Sequence, residues 1–369
     1  MKVVFDNIIY SKEKQGGISN YWFEIGTRAI NNPEFDCYFY EEINAISNLC
    51  RQRLTIPSQN LITHPFKALI LARLSALDVP FDSDFLYHSS FYRPLDKKKS
   101  FTEITTVHDF NHTFYSSFHR RIMHNYLKYR TIKRSDGIIC VSHNTSNDLY
   151  KLLGPLANKE ITVIHNGVSN HYFQFDSVRK EDNSFIKSLK IGDSKFLLYV
   201  GGRTGYKNFD FIIELLKDLK DFKLIVVGNV FNKKEAKIID ADTMKRIVVT
   251  NHISNENLNI LYNHAHCLVY PSSYEGFGIP VIEAMRAGCP VIALNRSSIP
   301  EIAAGSAFLL DDLNISNFKN SINELSNSTV RNDLINKGLE KSKIYSWDKC
   351  VQETFDFYKY VHSKKSKMI

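Results

Sequence analysis

Short apolar runs alternate along the chain with longer segments in which apolar residues recur every three or four positions. Residues 3–5 (VVF) precede a helical pattern over 21–29, residues 104–107 (ITTV) one over 120–132, and residues 137–141 (GIICV) one over 145–152. The alternation resumes with 196–200 (FLLYV) before a helical pattern over 210–219, followed by the runs 223–227, 246–249, 267–270 and 290–293. A strand buried on both faces reads as a continuous apolar run, so this rhythm predicts parallel sheets covered by helices. Residues 174–193 are polar and charged without a period, which places a domain break near 168–190. The expected organisation is an N-terminal domain over 1–172, a linker over 173–192 and a C-terminal domain over 193–345. A last helix over 346–369 is expected to pack back across the domains. In that helix Cys350, Val351, Thr354, Phe355, Phe357, Tyr358 and Val361 are spaced as one apolar stripe, and Lys364, Lys365 and Lys367 follow. A membrane-facing basic tail is the alternative. The fold class is therefore α/β, two Rossmann-like, doubly wound domains facing a central cleft at the carboxyl ends of their sheets.

Composition narrows the choice. With 369 residues, 43% of them hydrophobic, the chain is long enough for about two cores, which excludes disorder and a minimal scaffold. Lys and Arg outnumber Asp and Glu by 47 to 39, a formal charge of +8. That favours anionic partners such as phosphates or anionic lipids without implying nucleic acid. The six cysteines (Cys37, Cys50, Cys140, Cys267, Cys289, Cys350) form no C-x-x-C pair and read as buried thiols in a reducing compartment. The N-terminus turns polar after one short run, and no stretch approaches the roughly 20 apolar residues of a membrane span. A cytoplasmic location is expected.

The densest chemical signal is CLVYPSSYEGFGIPVIEAMRAGCPV, residues 267–291. A strand ends at Pro271, a loop with Gly276 and Gly278 follows, and Pro280 opens a helix that runs to Gly288. Such a loop brings backbone N–H groups and the positive end of a helix to the carboxyl edge of a sheet, where anionic or hydroxyl-rich ligands bind. Glu275 lies in the loop and Glu283 is expected in the first helical turn, so both carboxylates can face one crevice. The plainer alternative is an exposed loop glutamate and a helix-dipole glutamate. The second signal is LLYVGGRTGYKNF, residues 197–209, in which a buried strand breaks at Gly201 and Gly202 and presents Arg203 and Lys207. A guanidinium and an ammonium at a sheet edge can neutralise a diphosphate. His108 and His112 have the spacing of a metal pair but lack a third ligand, and read as hydrogen-bonded structure. The strings Asp82-Ser83-Asp84 and Asp240-Ala241-Asp242 do not require a divalent ion when Arg203 and Lys207 can neutralise a diphosphate's charge.

The E-x7-E pair of Glu275 and Glu283, together with VGGRTGYKN, resembles glycosyltransferase family 4, retaining enzymes of the GT-B fold. Short matches in the same order extend the resemblance over nearly the whole chain. They are Gly16-Gly17-Ile18, Val107-His108-Asp109, Val141-Ser142, His165-Asn166-Gly167-Val168 and Ser298-Ile299-Pro300-Glu301. The resemblance implies that Arg203 and Lys207 bind the donor's diphosphate and that Glu283 holds the nucleotide ribose. It places Glu275 near the transferred sugar, with Gly276 and the amides of Phe277, Gly278 and Ile279 beside it. Gly16 and Gly17 would come under the phosphates, His108 would lie beside the donor sugar, and Gly202 and Ile253 complete the donor-binding set. His108, Glu275, Arg203 and Lys207 are the expected catalytic group.

The implied reaction moves a hexose from a nucleotide diphosphate sugar, as co-substrate, to a hydroxyl of a glycan, with retention and without a metal or other cofactor. The GYKNF variant is similar to transferases that use GDP-mannose and related hexoses in bacterial surface-polysaccharide assembly (O-antigen, lipopolysaccharide, capsule). UDP-hexose is the alternative donor. The rivals are a non-hydrolysing sugar-nucleotide epimerase and a catalytically idle sugar-nucleotide-binding subunit. Residues 119–134 carry Arg120, Arg121, Lys128, Arg130, Lys133 and Arg134, and residues 65–77 (PFKALILARLSAL) are amphipathic. Together they are expected to meet an anionic inner-membrane surface and a lipid-linked acceptor. The alternative is a solvated basic helix and a helix packed over the sheet.

Overall fold

The structure, a computed structural model, describes residues 1–65, 69–96, 98–176, 184–192, 194–203, 205–251 and 253–367. The chain forms two compact units, one of Met1–Asn166 with Trp347–Ile369 and one of Gly167–Ser346.

The first unit is a seven-stranded parallel sheet in the order β3-β2-β1-β4-β5-β6-β7. Its strands are β1 (Lys2–Asp6), β2 (Asp36–Glu42), β3 (Leu61–His64), β4 (Phe85–Ser89), β5 (Phe101–Val107), β6 (Gly137–Cys140) and β7 (Glu160–Val163). β1 lies centrally, with Val3 opposite Cys37 of β2 on one side and Leu86 of β4 on the other. Successive side chains leave a strand on opposite faces. Val3 and Phe5 accordingly join a core with the helix Gly17–Ile30, while Val4 joins a second core with Tyr40, Phe85 and Tyr87. Both faces are dry, which is why these strands read as unbroken apolar runs.

The terminal helix Trp347–Ser366 belongs to the first of these cores, through Trp347, Cys350, Val351, Phe355, Tyr358 and Val361. A Cβ on Gly137 would meet Phe357 and Val361 at 3.0 Å, so the helix sits against the bare backbone of β6. Lys364 and Lys365 pair with Glu160 and Asp136 at 2.5 and 2.7 Å. These lysines clamp the helix to its own unit, which contradicts a basic tail reserved for a membrane. All six cysteines are buried and unbridged.

The second unit has six parallel strands in the order β10-β9-β8-β11-β12-β13. They are β8 (Lys195–Val200), β9 (Phe222–Val227), β10 (Ile247–Val249), β11 (Cys267–Tyr270), β12 (Val291–Leu294) and β13 (Phe308–Leu310). Leu197, Tyr199, Leu224 and Val226 pack against Phe209, Ile212, Ile213 and Leu216 of the helix Phe209–Asp218. The strand order reverses between β8 and β11, the position at which open α/β sheets place a ligand outside their carboxyl ends.

The boundary differs from the expected one at 172, and the stretch expected as a linker over 173–192 is partly built into the second unit. Val168 pairs with Ser346, and Tyr172 packs edge-on against Tyr262 at 5.9 Å. The N–H groups of Phe173 and Phe175 donate to the side chains of Asn259 and Asn263 at 3.1 and 2.7 Å. A polar sequence conceals this strap because its hydrogen-bond partners are asparagines nearly ninety positions away. Residues 177–183 of that stretch lie outside the described residues.

Candidate active site

Both sequence signals of the second unit fall at its switch point. β8 ends at Val200 and is followed by Gly201, whose φ of 127° lies where an L side chain is strained. No atom lies within 4 Å of a Cβ built on Gly202, so the backbone there borders open space. Arg203 then turns back over the sheet edge. Its Nε and Nη2 donate to Glu235 at 2.9 and 3.1 Å, and its Nη1 and Nη2 donate to the carbonyls of Asn229 and Val230 at 2.7 and 3.0 Å. The rings of Phe209 and Phe231 flank the guanidinium. Arg203 is thus held as the buried half of an ion pair, not presented as an exposed cation. Thr204 lies outside the described residues.

Lys207 reaches the other signal directly. Its ammonium donates to Glu275 Oε1, and the Tyr270 hydroxyl donates to the same oxygen at 2.8 Å. Asn208, in the left-handed region at φ 50°, fastens the two loops by donating to Pro271 O and Ser273 Oγ, each at 2.7 Å. The loop after β12 supports Glu275 from the far side. Ser297 Oγ accepts from the Glu275 N–H at 3.0 Å, and Ser298 Oγ donates to the carbonyls of Glu275 and Phe277 at 3.0 and 2.8 Å. Glu275 is therefore fixed at its backbone and its carboxylate, and is not the exposed loop glutamate of the plainer alternative.

Gly276 is half-buried, and Phe277 is buried edge-on to Tyr345 at 5.7 Å. At Gly278 φ is 102°, and a Cβ would stand 2.6 Å from Ile299, so both conformation and space demand glycine. Ile279 begins the helix Ile279–Arg286, with Pro280 in its first turn. Glu283 is the fifth residue of that helix and so stands in the second turn, not the first as expected. There the Tyr262 hydroxyl donates to Glu283 Oε2 at 3.0 Å, Tyr172 is a second neighbour, and burial pushes the carboxyl up to about 7. Ile253 is half-buried in the loop between β10 and the helix Asn255–His264.

The remaining expected residues lie in the first unit. Gly16 and Gly17 open the helix Gly17–Ile30 after β1. Gly16 has extended backbone, but a Cβ there would meet the Glu13 carboxylate at 2.5 Å. Glu13 accepts from the Ser19 N–H at 3.2 Å and so occupies this helix N-terminus. His108 follows β5, edge-on to Tyr21 at 4.9 Å, and burial lowers its imidazole to about 4. Its Nε2 is sealed from solvent and has no hydrogen-bond partner. His112 instead bonds Ser116 at 2.8 Å and stacks on His124. The acidic strings are likewise engaged: Asp82 pairs with Lys99 at 2.9 Å, and Asp240 caps the helix Ala241–Met244.

The sequence is matched by two family profiles, "Glycosyltransferase Family 4" over residues 35–171 and "Glycosyl transferases group 1" over residues 180–341. The chain belongs to the family 4 glycosyltransferases. This glycosyltransferase is 25% identical over 324 residues to the O-antigen chain mannosyltransferase B of Escherichia coli, covering 84% of this chain and 81% of the relative. It is 27% identical over 257 residues to the O-antigen chain mannosyltransferase RfbU of Salmonella typhimurium strain LT2, covering 66% of this chain and 68% of the relative. Among solved structures it matches sucrose-phosphate synthase of Thermosynechococcus elongatus with a TM-score of 0.76 and 16% identity, over 99% of this chain and all of the other. The fold of this glycosyltransferase is of the GT-B class, two Rossmann-like α/β domains.

What linear motifs could not supply are the partners that hold them. Asn208, Tyr270 and Ser298 lie within the quoted stretches and Ser297 beside one, but nothing in a linear stretch shows which groups they hold, and Glu235 lies outside every quoted stretch. Among the described residues no helix of the glycosyltransferase is long and apolar enough to cross a membrane.

Proposed function

We propose that this glycosyltransferase moves mannose or a related hexose from a GDP-sugar to a hydroxyl of a growing, lipid-linked surface glycan, with retention at the anomeric carbon and without a metal. The observation that carries the reading is the junction of Lys207 with Glu275, which joins the basic and acidic loops at the switch point of the second sheet. The O-antigen mannosyltransferases among its relatives support the choice of sugar and acceptor. A UDP-hexose is the alternative donor.

In the proposed reaction the bond from the anomeric carbon to the diphosphate oxygen breaks, and its electron pair leaves with the diphosphate. The acceptor oxygen bonds to the same face, and its proton passes to the departing diphosphate oxygen. Lys207 exchanges Glu275 for a phosphate oxygen, which releases the carboxylate toward the sugar. Arg203 uses four of its five N–H donors on Glu235 and two carbonyls, so it acts as a fixed positive charge behind the diphosphate. Glu283, when ionised, accepts from the two ribose hydroxyls. His108 is neutral at pH 7 and offers its unpartnered Nε2 to a sugar hydroxyl.

The test is an NMR assay with GDP-mannose and a prenyl-diphosphate-linked acceptor glycan. An α-mannosyl product with release of GDP is expected. A free altered sugar nucleotide, or no product from any donor, would replace this reading with the epimerase or the idle subunit.

The membrane expectation stands as a proposal on the helix Phe118–Arg134. Phe118, Ile122 and Tyr126 are exposed by 60, 52 and 57% and interleave with Arg120 and Arg121. That composition suits an anionic interface. In the companion stretch 65–77, residues 66–68 lie outside the described residues, and Leu71 and Leu74 are exposed. Flotation with phosphatidylglycerol vesicles, but not with phosphatidylcholine vesicles, is expected at low salt. Equal recovery with both would remove the proposal.

A further inference from the structure

The first unit pairs its buried cations with carboxylates in three places. Arg51 meets Glu41 at 2.5 Å, Arg93 meets Glu42 at 3.2 Å, and Arg134 is matched to Glu103. A fourth group of cations at the carboxyl edge of the same sheet departs from this rule. Lys12, at the end of the helix Ile8–Lys12 that follows β1, holds its ammonium 4.0 Å from the Phe91 ring centroid. Arg73, from the helix Leu69–Leu74, sets its guanidinium 4.1 Å from the same centroid and donates from Nε to Phe91 O at 3.1 Å. Lys128, from the helix Phe118–Arg134, lies 4.4 Å from the Phe110 centroid and donates to the carbonyl of Asp109. Arg73 is 6% exposed and Lys128 1%.

Among the described residues no carboxylate lies within ion-pair distance of any of the three. The acids that face them, Asp109 and Glu13, are turned to backbone N–H groups of Asn111 and Ser19 at 3.0 and 3.2 Å. Arg73 Nη2 is sealed from solvent without a hydrogen-bond partner, and so is Nδ1 of buried His124. His124 and His112 stack at 4.1 Å, and burial with the nearby cations holds both imidazoles neutral, so neither is a further positive charge. Buried cations without a carboxylate at ion-pair distance are unfavourable, and Arg73 Nη2 keeps an N–H open to a partner.

We infer that Lys12, Arg73 and Lys128 form a second anion site, which takes a phosphate or diphosphate group of the acceptor. This rests on the reading of the chain as a transferase whose donor diphosphate binds at Arg203 and Lys207 in the other unit. A guanidinium fork with two ammonium groups matches the oxygens of a phosphate. The Phe91, Tyr92 and Phe110 rings line the cations and exclude water, which strengthens the attraction. Asp109 directly follows His108, so the site adjoins the histidine proposed to contact the sugar.

The test is calorimetric titration of the full-length protein with inorganic pyrophosphate, in the presence of a saturating nucleoside diphosphate to occupy the donor site. Wild type is expected to bind pyrophosphate, and Arg73→Met and Lys12→Met each to bind it at least tenfold more weakly. The thermal shift given by the nucleoside diphosphate should be unaltered in both variants, which reports intact folding. Farnesyl diphosphate in detergent micelles separates the sources. Tighter binding than pyrophosphate identifies a lipid-borne group, and equal binding a water-soluble phosphate ester. Failure of nucleotide-saturated wild type to bind either probe, or wild-type affinity in both variants, overturns the inference. If no nucleoside diphosphate shifts the protein, the donor reading falls instead. The pyrophosphate titration is then run alone, with the same loss expected in the variants.

Discussion

In the second unit the two motif cations have carboxylate partners, Arg203 in Glu235 and Lys207 in Glu275, whereas in the first unit Lys12, Arg73 and Lys128 gather round aromatic rings with none. A paired cation costs less than an unpaired one in the ligand-free protein and must exchange partners to bind, which couples binding to movement of the carboxylate. An unpaired one is a standing attraction for an anion and is disfavoured until the anion arrives. On the proposed reading the units have different tasks: exchange at the reacting centre in one, retention of a charged anchor in the other.

The largest effect should come from breaking the exchange. Lys207→Ala and Glu275→Gln are each expected to lower kcat/KM for transfer by about 100- to 1000-fold, the range for one transition-state charge contact. Glu275→Gln should keep its nucleoside-diphosphate thermal shift. Wild-type turnover in either variant would end the assignment.

Arg203→Ala leaves Glu235 without its cation and the carbonyls of Asn229 and Val230 without their donor. Urea unfolding should show a loss of about 2–4 kcal/mol, at the lower end of buried pairs because Glu235 keeps some contact with water. By contrast, Arg73→Met removes a buried charge that has no carboxylate partner, which offsets the lost bond to Phe91 O, and should cost less than about 1 kcal/mol in the ligand-free protein, or raise its stability. If Arg73→Met were the more damaging of the two, the comparison between the units would be wrong.

The smallest effect concerns Glu283, whose carboxyl is raised to about 7 by burial. A raised folded-state value means that the folded protein binds the proton more tightly than the unfolded chain. The contribution to stability is present below the ordinary carboxyl value and lost as pH rises through about 7. Glu283→Gln should flatten the decline in Tm between pH 5 and pH 8 by a few degrees. Nucleotide affinity, which on the proposed reading uses the ionised carboxylate, should rise over the same interval in wild type and stay flat in the variant.

The alternating rhythm was legible for β1, β5, β6, β8, β9, β11 and β12, because strands dry on both faces read as apolar runs, and for the half-buried edge strand β10, whose sequence is apolar throughout. It failed at β2, whose sequence ends in Glu41 and Glu42. These glutamates are buried because Arg51, from the helix Leu49–Arg53, and Arg93, from the loop after β4, neutralise them. The edge strands β3 and β7 are half-buried and mix polar with apolar residues, while β13 is only three residues long. At the candidate site the motif residues were legible, since a glycine break and its charges lie in one stretch of chain. The pairing of Arg203 with Glu235, 32 positions away, was not. Lys128 was read as part of a solvent- or membrane-facing helix, yet its side chain points inward, because a stripe of His124, Leu127, Lys128 and Thr131 on that helix is buried.

The most direct test of the central claim is a thermal-shift panel of GDP, UDP, dTDP and ADP on wild type and Lys207→Met, without metal and then with Mg²⁺. A ligand of the folded state raises the apparent Tm. A selective, metal-free shift by one nucleoside diphosphate, GDP by this account, that is lost in Lys207→Met is the predicted result. No shift at millimolar nucleotide, or an undiminished shift in Lys207→Met, would contradict a donor site built on the junction of Lys207 with Glu275.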